Sequence, residues 1–271
     1  MGLFMALALV TVVVRPVANM YSGPSRDTDV VSQAIYGANV GVVEEKAGWV
    51  KIRTPDDYTG WTPAAWLRRG APYAASGRVA QVASLFANLY READVTKHEP
   101  VITVPFEARL EVAAEPDGNG RWIEVKLADG RRAWVQRGDV EFDSRPMGLE
   151  QMIAFSRRFL GIPYLWGGTS TYGYDCSGFV QMLYRRLGVL LPRDAQPQAQ
   201  FRGLEPVERS QLKPGDLLYF GPGPDKIRHT GMYLGNGEFI NATTHERPMV
   251  RVDRLDEPPW TETLVACRRL K

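Results

Sequence analysis

Cysteine and histidine are scarce in this chain: 271 residues include two cysteines, Cys176 and Cys267, and three histidines, His98, His229 and His245. Two cysteines are too few for the disulfide framework of a small secreted scaffold, and the cysteines and histidines are too scattered for the ligand spacings of zinc. No metal and no cofactor is expected, since Gly167-Gly168 also lacks the strand, lysine and helix of a phosphate-cradling loop. A preponderance of one charge is missing too. The 33 basic and 31 acidic side chains are interspersed and leave a formal charge of +2, so no nucleic-acid-binding face is expected. The one long apolar run, Leu3 to Val14, is shorter than the roughly 20 residues of a spanning helix, and it has neither a basic leading region nor an evident cleavage site. Its second half, Val10 to Val14, is β-branched and reads as a first strand. No membrane anchor is expected, and a cytoplasmic location is favoured over an exported one, which would need a removed signal.

What is present is an ordinary globular balance, 44% hydrophobic and 24% charged residues, over a length greater than one typical domain of roughly 100 to 200 residues. Two stretches repeat one another. Gly48-Trp49-Val50-Lys51-Ile52-Arg53 is followed by Tyr58-Thr59-Gly60-Trp61, and Arg121-Trp122-Ile123-Glu124-Val125-Lys126 by Arg132-Ala133-Trp134-Val135. Each copy alternates polar and apolar side chains, turns at Pro55-Asp56-Asp57 or Ala128-Asp129-Gly130, and alternates again, which is the pattern of a β-hairpin. Further β-rich runs precede each hairpin, Gln33 to Glu44 and Pro100 to Ala113, so each copy is expected to close into a small barrel without exposed edges. Trp49, Trp61, Trp122 and Trp134 are expected in the barrel cores rather than on a sugar-binding face. Connectors at Ala71 to Gly77 and Asp143 to Pro146 divide the chain into units 1–72, 73–145 and 146–271.

After Pro146 the apolar period changes from two to that of a helix, with Met152, Ile153, Phe155, Phe159 and Leu160 spaced to face a core. A glycine-rich loop, Gly167 to Gly173, leads into Asp175-Cys176-Ser177. Gly178 to Leu187 then reads as a helix, buried along Phe179, Val180, Leu183, Tyr184 and Leu187 and ended by Gly188. Strands are expected at Leu217 to Phe220, Thr230 to Leu234, Glu238 to Ala242 and Leu264 to Arg268. Helices ahead of an antiparallel sheet make this part α+β.

A thiol attacks as its thiolate, and a helix N-terminus favours that form through unpaired NH groups and a partial positive charge. Cys176 stands at such a position in polar, glycine-rich surroundings, whereas Cys267 lies in the apolar run Leu264 to Cys267. The same NH groups suit the oxyanion formed when an amide carbonyl is attacked. His229 opens a strand that can lie beside the Cys176 helix and supply the base. Asn241, across the turn Gly235-Asn236-Gly237, falls on the next antiparallel strand, where it can orient the imidazole; His245, just past that strand, is the alternative. Lys97 and His98 read as solvated loop residues.

Four blocks carry a resemblance: Asp175-Cys176-Ser177-Gly178-Phe179-Val180, Leu212-Lys213-Pro214-Gly215-Asp216-Leu217, His229-Thr230-Gly231-Met232-Tyr233-Leu234-Gly235 and Phe239-Ile240-Asn241-Ala242. In order and spacing they resemble the NlpC/P60 family, and the tryptophan hairpins resemble the bacterial SH3 domains often fused to it. Within the family the chain is similar to the YkfC-like γ-D-glutamyl-diamino-acid peptidases. The resemblance implies an α+β fold, a papain-like catalytic domain behind two small SH3-like β-barrels. It implies a cysteine peptidase that hydrolyses the bond between γ-D-glutamate and diaminopimelate or lysine in stem peptides with a free N-terminal L-alanine, releasing L-Ala-D-Glu. Such peptidoglycan-derived peptides are the expected partners.

The resemblance also implies roles. Cys176 is the nucleophile, His229 the base and Asn241 the third member, at a position where most relatives have histidine; asparagine accepts an imidazole hydrogen bond but does not ionise. Tyr164 joins the Cys176 NH in the oxyanion hole. Asp175 and Ser177 line the pocket for D-glutamate, Trp166 forms an apolar wall, and Asp194 pairs with the free amine. From the first SH3-like unit, Tyr58 closes the pocket and Asp29 offers a second carboxylate. A buried ammonium is costly unless carboxylates pair with it, so such a pocket admits only a chain end. Two alternatives stay open: an endo-acting hydrolase or amidase on polymeric wall, and a non-catalytic protein that binds wall through its SH3-like repeats.

Overall fold

Alternation of buried and exposed side chains governs the first half of the chain. The computed structural model describes residues 10–114 and 120–271, and divides into two units, Met1–Ser144 and Arg145–Lys271. Residues 3–9 of the apolar run lie outside the described residues. Among those described, no helix is long and apolar enough to cross a membrane.

The first unit holds two seven-stranded antiparallel sheets. One comprises β1 (Val10–Val13), β2 (Val17–Tyr21), β3 (Val30–Ile35), β4 (Asn39–Lys46), β5 (Trp49–Arg53), β6 (Thr59–Pro63) and β7 (Leu67–Gly70). The other comprises β8 (Val79–Val82), β9 (Phe86–Tyr90), β10 (Ile102–Pro105), β11 (Arg109–Val112), β12 (Trp122–Lys126), β13 (Arg132–Gln136) and β14 (Val140–Phe142). Their orders, β3-β2-β6-β5-β4-β1-β7 and β10-β9-β13-β12-β11-β8-β14, are the same path traced twice. The tryptophan hairpins are β5–β6 and β12–β13, with Lys51 opposite Trp61 and Glu124 opposite Trp134.

Three of the four tryptophans depart from the expectation. Val50, Ile52, Ile123 and Val125 fill the cores, and period two therefore turns Trp49 and Trp122 to the opposite face, where they are half-buried edge-on against Tyr21 and Tyr90. Trp134 is half-buried as well, and only Trp61 is fully enclosed. The connector between the repeats is more than a linker. Its Tyr73 and Ala74 are buried in one apolar cluster with Val12 and Tyr36 of the first repeat and the core of the second. The Tyr73 hydroxyl donates to the Lys126 carbonyl at 2.6 Å and accepts from the Glu111 NH at 3.3 Å, while the Tyr36 hydroxyl accepts from the Ala128 NH at 2.7 Å. Burial pushes both phenols up, Tyr36 to about 12.

The second unit begins with α1 (Leu149–Ser156), which buries Met152 and Phe155. Leu160, expected in the core, is exposed: α1 tightens into a 3₁₀ turn at Arg157–Phe159, and this breaks the 3.6-residue period. A short ribbon, β15 (Thr169–Ser170) and β16 (Gly173–Tyr174), leads to α2 (Cys176–Arg186), followed by α3 (Ala195–Ala199). A six-stranded antiparallel sheet follows in the order β17-β22-β18-β19-β20-β21, built from β17 (Leu204–Pro206), β18 (Leu217–Phe220), β19 (His229–Gly235), β20 (Glu238–Thr243), β21 (Met249–Arg254) and β22 (Leu264–Leu270), with α4 (Trp260–Thr263) before the last strand. Helix α2 is buried on nearly every side, packed on β19 and β20, with its Phe179 edge-to-face against Phe159 and Tyr174.

Tyr73→Phe removes one hydroxyl from the seam between the repeats and leaves a buried carbonyl and amide with one partner fewer. The urea unfolding midpoint of the first unit's transition is expected to fall by the equivalent of about 1–3 kcal/mol without a change in slope. An unchanged midpoint would show that the hydroxyl carries no stability.

Candidate active site

The head of α2 is fixed by one carboxylate. Asp175, the N-cap residue, accepts from the Gly178 NH at 2.7 Å, and its second oxygen accepts from the Gly167 NH at 3.0 Å. Arg193, 3% exposed, closes on the same group with both terminal nitrogens, at 3.0 and 2.5 Å, and also donates to Ser177 Oγ at 2.9 Å. A paired, hydrogen-bonded carboxylate tolerates this burial, whereas either charge alone would not. Gly178 is obligatory in the arrangement, because a β-carbon there would run into the Gly168 carbonyl. The glycine-rich loop therefore wraps the helix end closely and leaves Cys176 in the first helical position.

Cys176 is 8% exposed, and the backbone amides of Ser177 and Thr230 stand close enough to its sulfur to favour the thiolate. The Thr230 contact brings the thiol against the start of β19, beside His229. The His229 ring lies between Phe220, directly opposite it on β18, and Trp260 at 5.0 Å between centroids. Its Nε2 is 2.8 Å from Asn241 Oδ1. That approach depends on Gly231, where a β-carbon would stand 2.8 Å from the Phe239 ring and 3.0 Å from Asn241 Cβ. Asn241 is wholly buried, and its Nδ2 donates to Asp253 Oδ2 at 2.9 Å and to the Arg251 carbonyl at 3.4 Å.

Burial sets the protonation of the resting pair. It pushes the Cys176 thiol up to about 12, aided by the negative charge of Asp175 and opposed by the Thr230 and Ser177 amides and by Arg193. Burial also pulls the His229 imidazolium down to about 4, against the Asn241 hydrogen bond and the Asp175 charge, which favour the proton. The helix end alone led us to expect a thiolate; desolvation outweighs it here, and the resting state at neutral pH is a thiol beside a neutral imidazole.

A buried thiol on a helix head, an imidazole on the facing strand and an amide behind it are the kinds of group that acyl transfer needs as nucleophile, base and orienting residue. The description NlpC/P60 family matches residues 161–269, and Bacterial SH3 domain matches residues 16–68. The chain is 32% identical to a γ-D-glutamyl-L-lysine dipeptidyl-peptidase of Bacillus cereus, over 88% of this chain and 74% of that protein. It belongs to the NlpC/P60 family. A protein of the same description from Bacillus subtilis is 30% identical over 91% of this chain and 83% of its own length. The crystal structure of an NlpC/P60 family protein from Bacillus cereus superposes with a TM-score of 0.83 at 25% identity, covering 96% of this chain and 99% of that one. The chain is accordingly an NlpC/P60 cysteine peptidase with an α+β fold and an SH3-like β-rich N-terminal region.

Around the family's cysteine the remaining expected residues are placed unevenly. Tyr164 is half-buried near the sulfur, and its hydroxyl is held protonated by burial first and then by the negative charge of Asp175, so it stays a donor. Asp175 and Ser177 are buried and engaged by Arg193; the carboxylate's acceptor positions are taken by Gly167, Gly178, Ser177 and Arg193, so it ties the glycine-rich loop, the helix end and Arg193 together. Trp166 is 67% exposed, with Leu165 and Tyr172 also exposed in the same loop region. Asp194 is exposed at the N-terminus of α3. In the other unit, Tyr58 is half-buried against the apolar core of the first sheet, and Asp29 is exposed just before β3. His245 stands edge-on to Trp260, which also packs against His229, Phe220 and Phe239, while the His229 ring nitrogen is met by Asn241. Among the described residues no group of three or more His, Cys, Asp or Glu side chains is placed to hold a metal.

Two residues escaped the sequence reading. Arg193 was legible only as the neighbour of Asp194. Asp253 lies on β21, a strand signalled by the alternation Val250-Arg251-Val252-Asp253 but not predicted. For the resting thiol, the rate of iodoacetamide alkylation at Cys176, followed by mass spectrometry, is expected to be slow at pH 7 and to rise about tenfold per pH unit through pH 10. A plateau beginning below pH 7 would show a preformed thiolate instead.

Proposed function

We propose that the chain hydrolyses the amide between γ-D-glutamate and lysine or diaminopimelate in stem peptides whose N-terminal L-alanine is free, releasing L-Ala-D-Glu. The observation that carries this reading is the Cys176, His229 and Asn241 arrangement in a chain that aligns over most of its length, both units included, with proteins described as γ-D-glutamyl-L-lysine dipeptidyl-peptidases. In this reading Cys176 Sγ attacks the γ-carbonyl carbon while its proton passes to His229. The tetrahedral oxyanion is met by the backbone NH at the head of α2 and the Tyr164 hydroxyl. His229 then gives the proton to the departing amine, leaving a thioester that water cleaves with His229 again as base. Asp194 receives the free amine of L-alanine, an assignment supported by its exposed carboxylate directly after Arg193. We read the second seven-stranded sheet, which repeats the strand order of the first, as a second SH3-like copy.

Mass spectrometry of L-Ala-γ-D-Glu-L-Lys incubations is expected to show L-Ala-D-Glu. The N-acetylated peptide should be cleaved at least about a hundredfold more slowly, because a carboxylate enclosed by bound substrate without its ammonium partner is costly. Cys176→Ala should abolish release, and Asp194→Asn should erode the preference for the free amine. Equal rates on both peptides, or release from intact sacculi, would favour an endo-acting enzyme. The pH profile follows from His229: a proton is accepted only by neutral imidazole, so kcat/KM is expected to hold from neutral pH down to about 4 and to fall below it. An acid limb near 6.5 would contradict the desolvated, neutral ring.

A further inference from the structure

We infer that Asp253 is a positioning residue of this site: acting through the side-chain amide of Asn241, its carboxylate determines which nitrogen of His229 bears hydrogen. The inference rests on the reading of His229 as the base. An asparagine amide has one accepting and one donating end of nearly equal shape, so its neighbours decide which end faces the imidazole. Behind Asn241 stand two groups that only accept, Asp253 Oδ2 at 2.9 Å and the Arg251 carbonyl at 3.4 Å. Both demand the NH2 end, and Oδ1 is thereby turned toward His229 Nε2 at 2.8 Å. An oxygen there requires a hydrogen on Nε2, which leaves the lone pair on Nδ1, the nitrogen free to receive a proton from a thiol.

The strand register explains how Asp253 comes to this place. Asn241 sits directly opposite Arg251, and Asp253 is two residues farther along the same strand, on the same face and diagonal to the amide. Arg251 binds the other Asp253 oxygen at 2.8 Å and reaches Glu246 at 2.9 Å, so the carboxylate is clamped rather than free to swing. Asp253 is 6% exposed, and nothing in the proposed chemistry touches it directly. An uncharged third member is in this way given a fixed polarity by a charge one residue behind it.

The test is nitrogen-15 NMR of histidine-labelled protein, with three histidines to assign. At pH 7 the His229 ring is expected to carry hydrogen on Nε2 alone. Asp253→Asn, which presents an amide of either polarity, should admit the Nδ1–H form and lower kcat about tenfold with KM within about twofold. The same substitution made in an Asn241→Ala background should cost less than about twofold, since the route through the amide is already gone. Asp253→Glu, which keeps an accept-only group, should retain more of the wild-type tautomer than Asp253→Asn. An Nδ1–H ring in the wild type, an unchanged tautomer in the variants, or equal costs in both backgrounds would overturn the inference. The tautomer is read without substrate, so failure to cleave the tripeptide leaves it standing, whereas a wrong tautomer in an enzyme that cleaves the tripeptide overturns this inference alone.

Discussion

The buried pairing of Asp175 with Arg193 is the constraint on which the second unit's chemistry depends. One carboxylate caps α2, holds the Gly167 amide and neutralises a guanidinium that has almost no contact with water. Without Arg193 the carboxylate would be an uncompensated charge beneath the nucleophile, and without Asp175 the guanidinium would be stranded in the same place. With both present, the loop and the helix end close on each other to the point where Gly168 and Gly178 leave no room for a side chain. Cys176 is then delivered to the first turn of a helix that has nowhere else to go. The reactive group is thus placed by a structure whose energetic cost has already been met by neighbours that take no part in the reaction.

Burial has a second effect on the site. A helix end and two backbone amides favour a thiolate, yet enclosure favours the uncharged forms of both partners and does so more strongly. In the proposed reaction the thiol and neutral imidazole differ by one proton transfer from the reactive ion pair, and a substrate carbonyl arriving at the sulfur would draw that transfer forward. Phe220 and Trp260 bear on this balance, because their rings form part of the enclosure around His229.

Much of this was legible in the amino-acid sequence, and what was not has physical reasons. The doubled tryptophan hairpins, the helix from Cys176 and the His229 to Asn241 hairpin across Gly235-Asn236-Gly237 follow from period, turn chemistry and repetition, which are local signals. The side of a strand on which a tryptophan falls depends on which alternate residues face the core, and Val50 and Ile52 took that face. Leu160 left the core because a 3₁₀ turn changed the phase of its helix. Arg193 and Asp253 were missed for a common reason: each matters through a partner distant in sequence, Asp175 in one case and Asn241 in the other, and the fold brings these pairs together through packing that no short motif encodes.

Tyr36 and Tyr73 put the two sheets of the first unit under a common fate. Each phenol belongs to one repeat or its connector and spends its hydroxyl on the backbone of the other, inside an apolar cluster the two share. A fragment ending between Gly70 and Val79 would expose that cluster and strand its hydroxyls, so either sheet expressed alone would be sticky and prone to pair with another copy of itself.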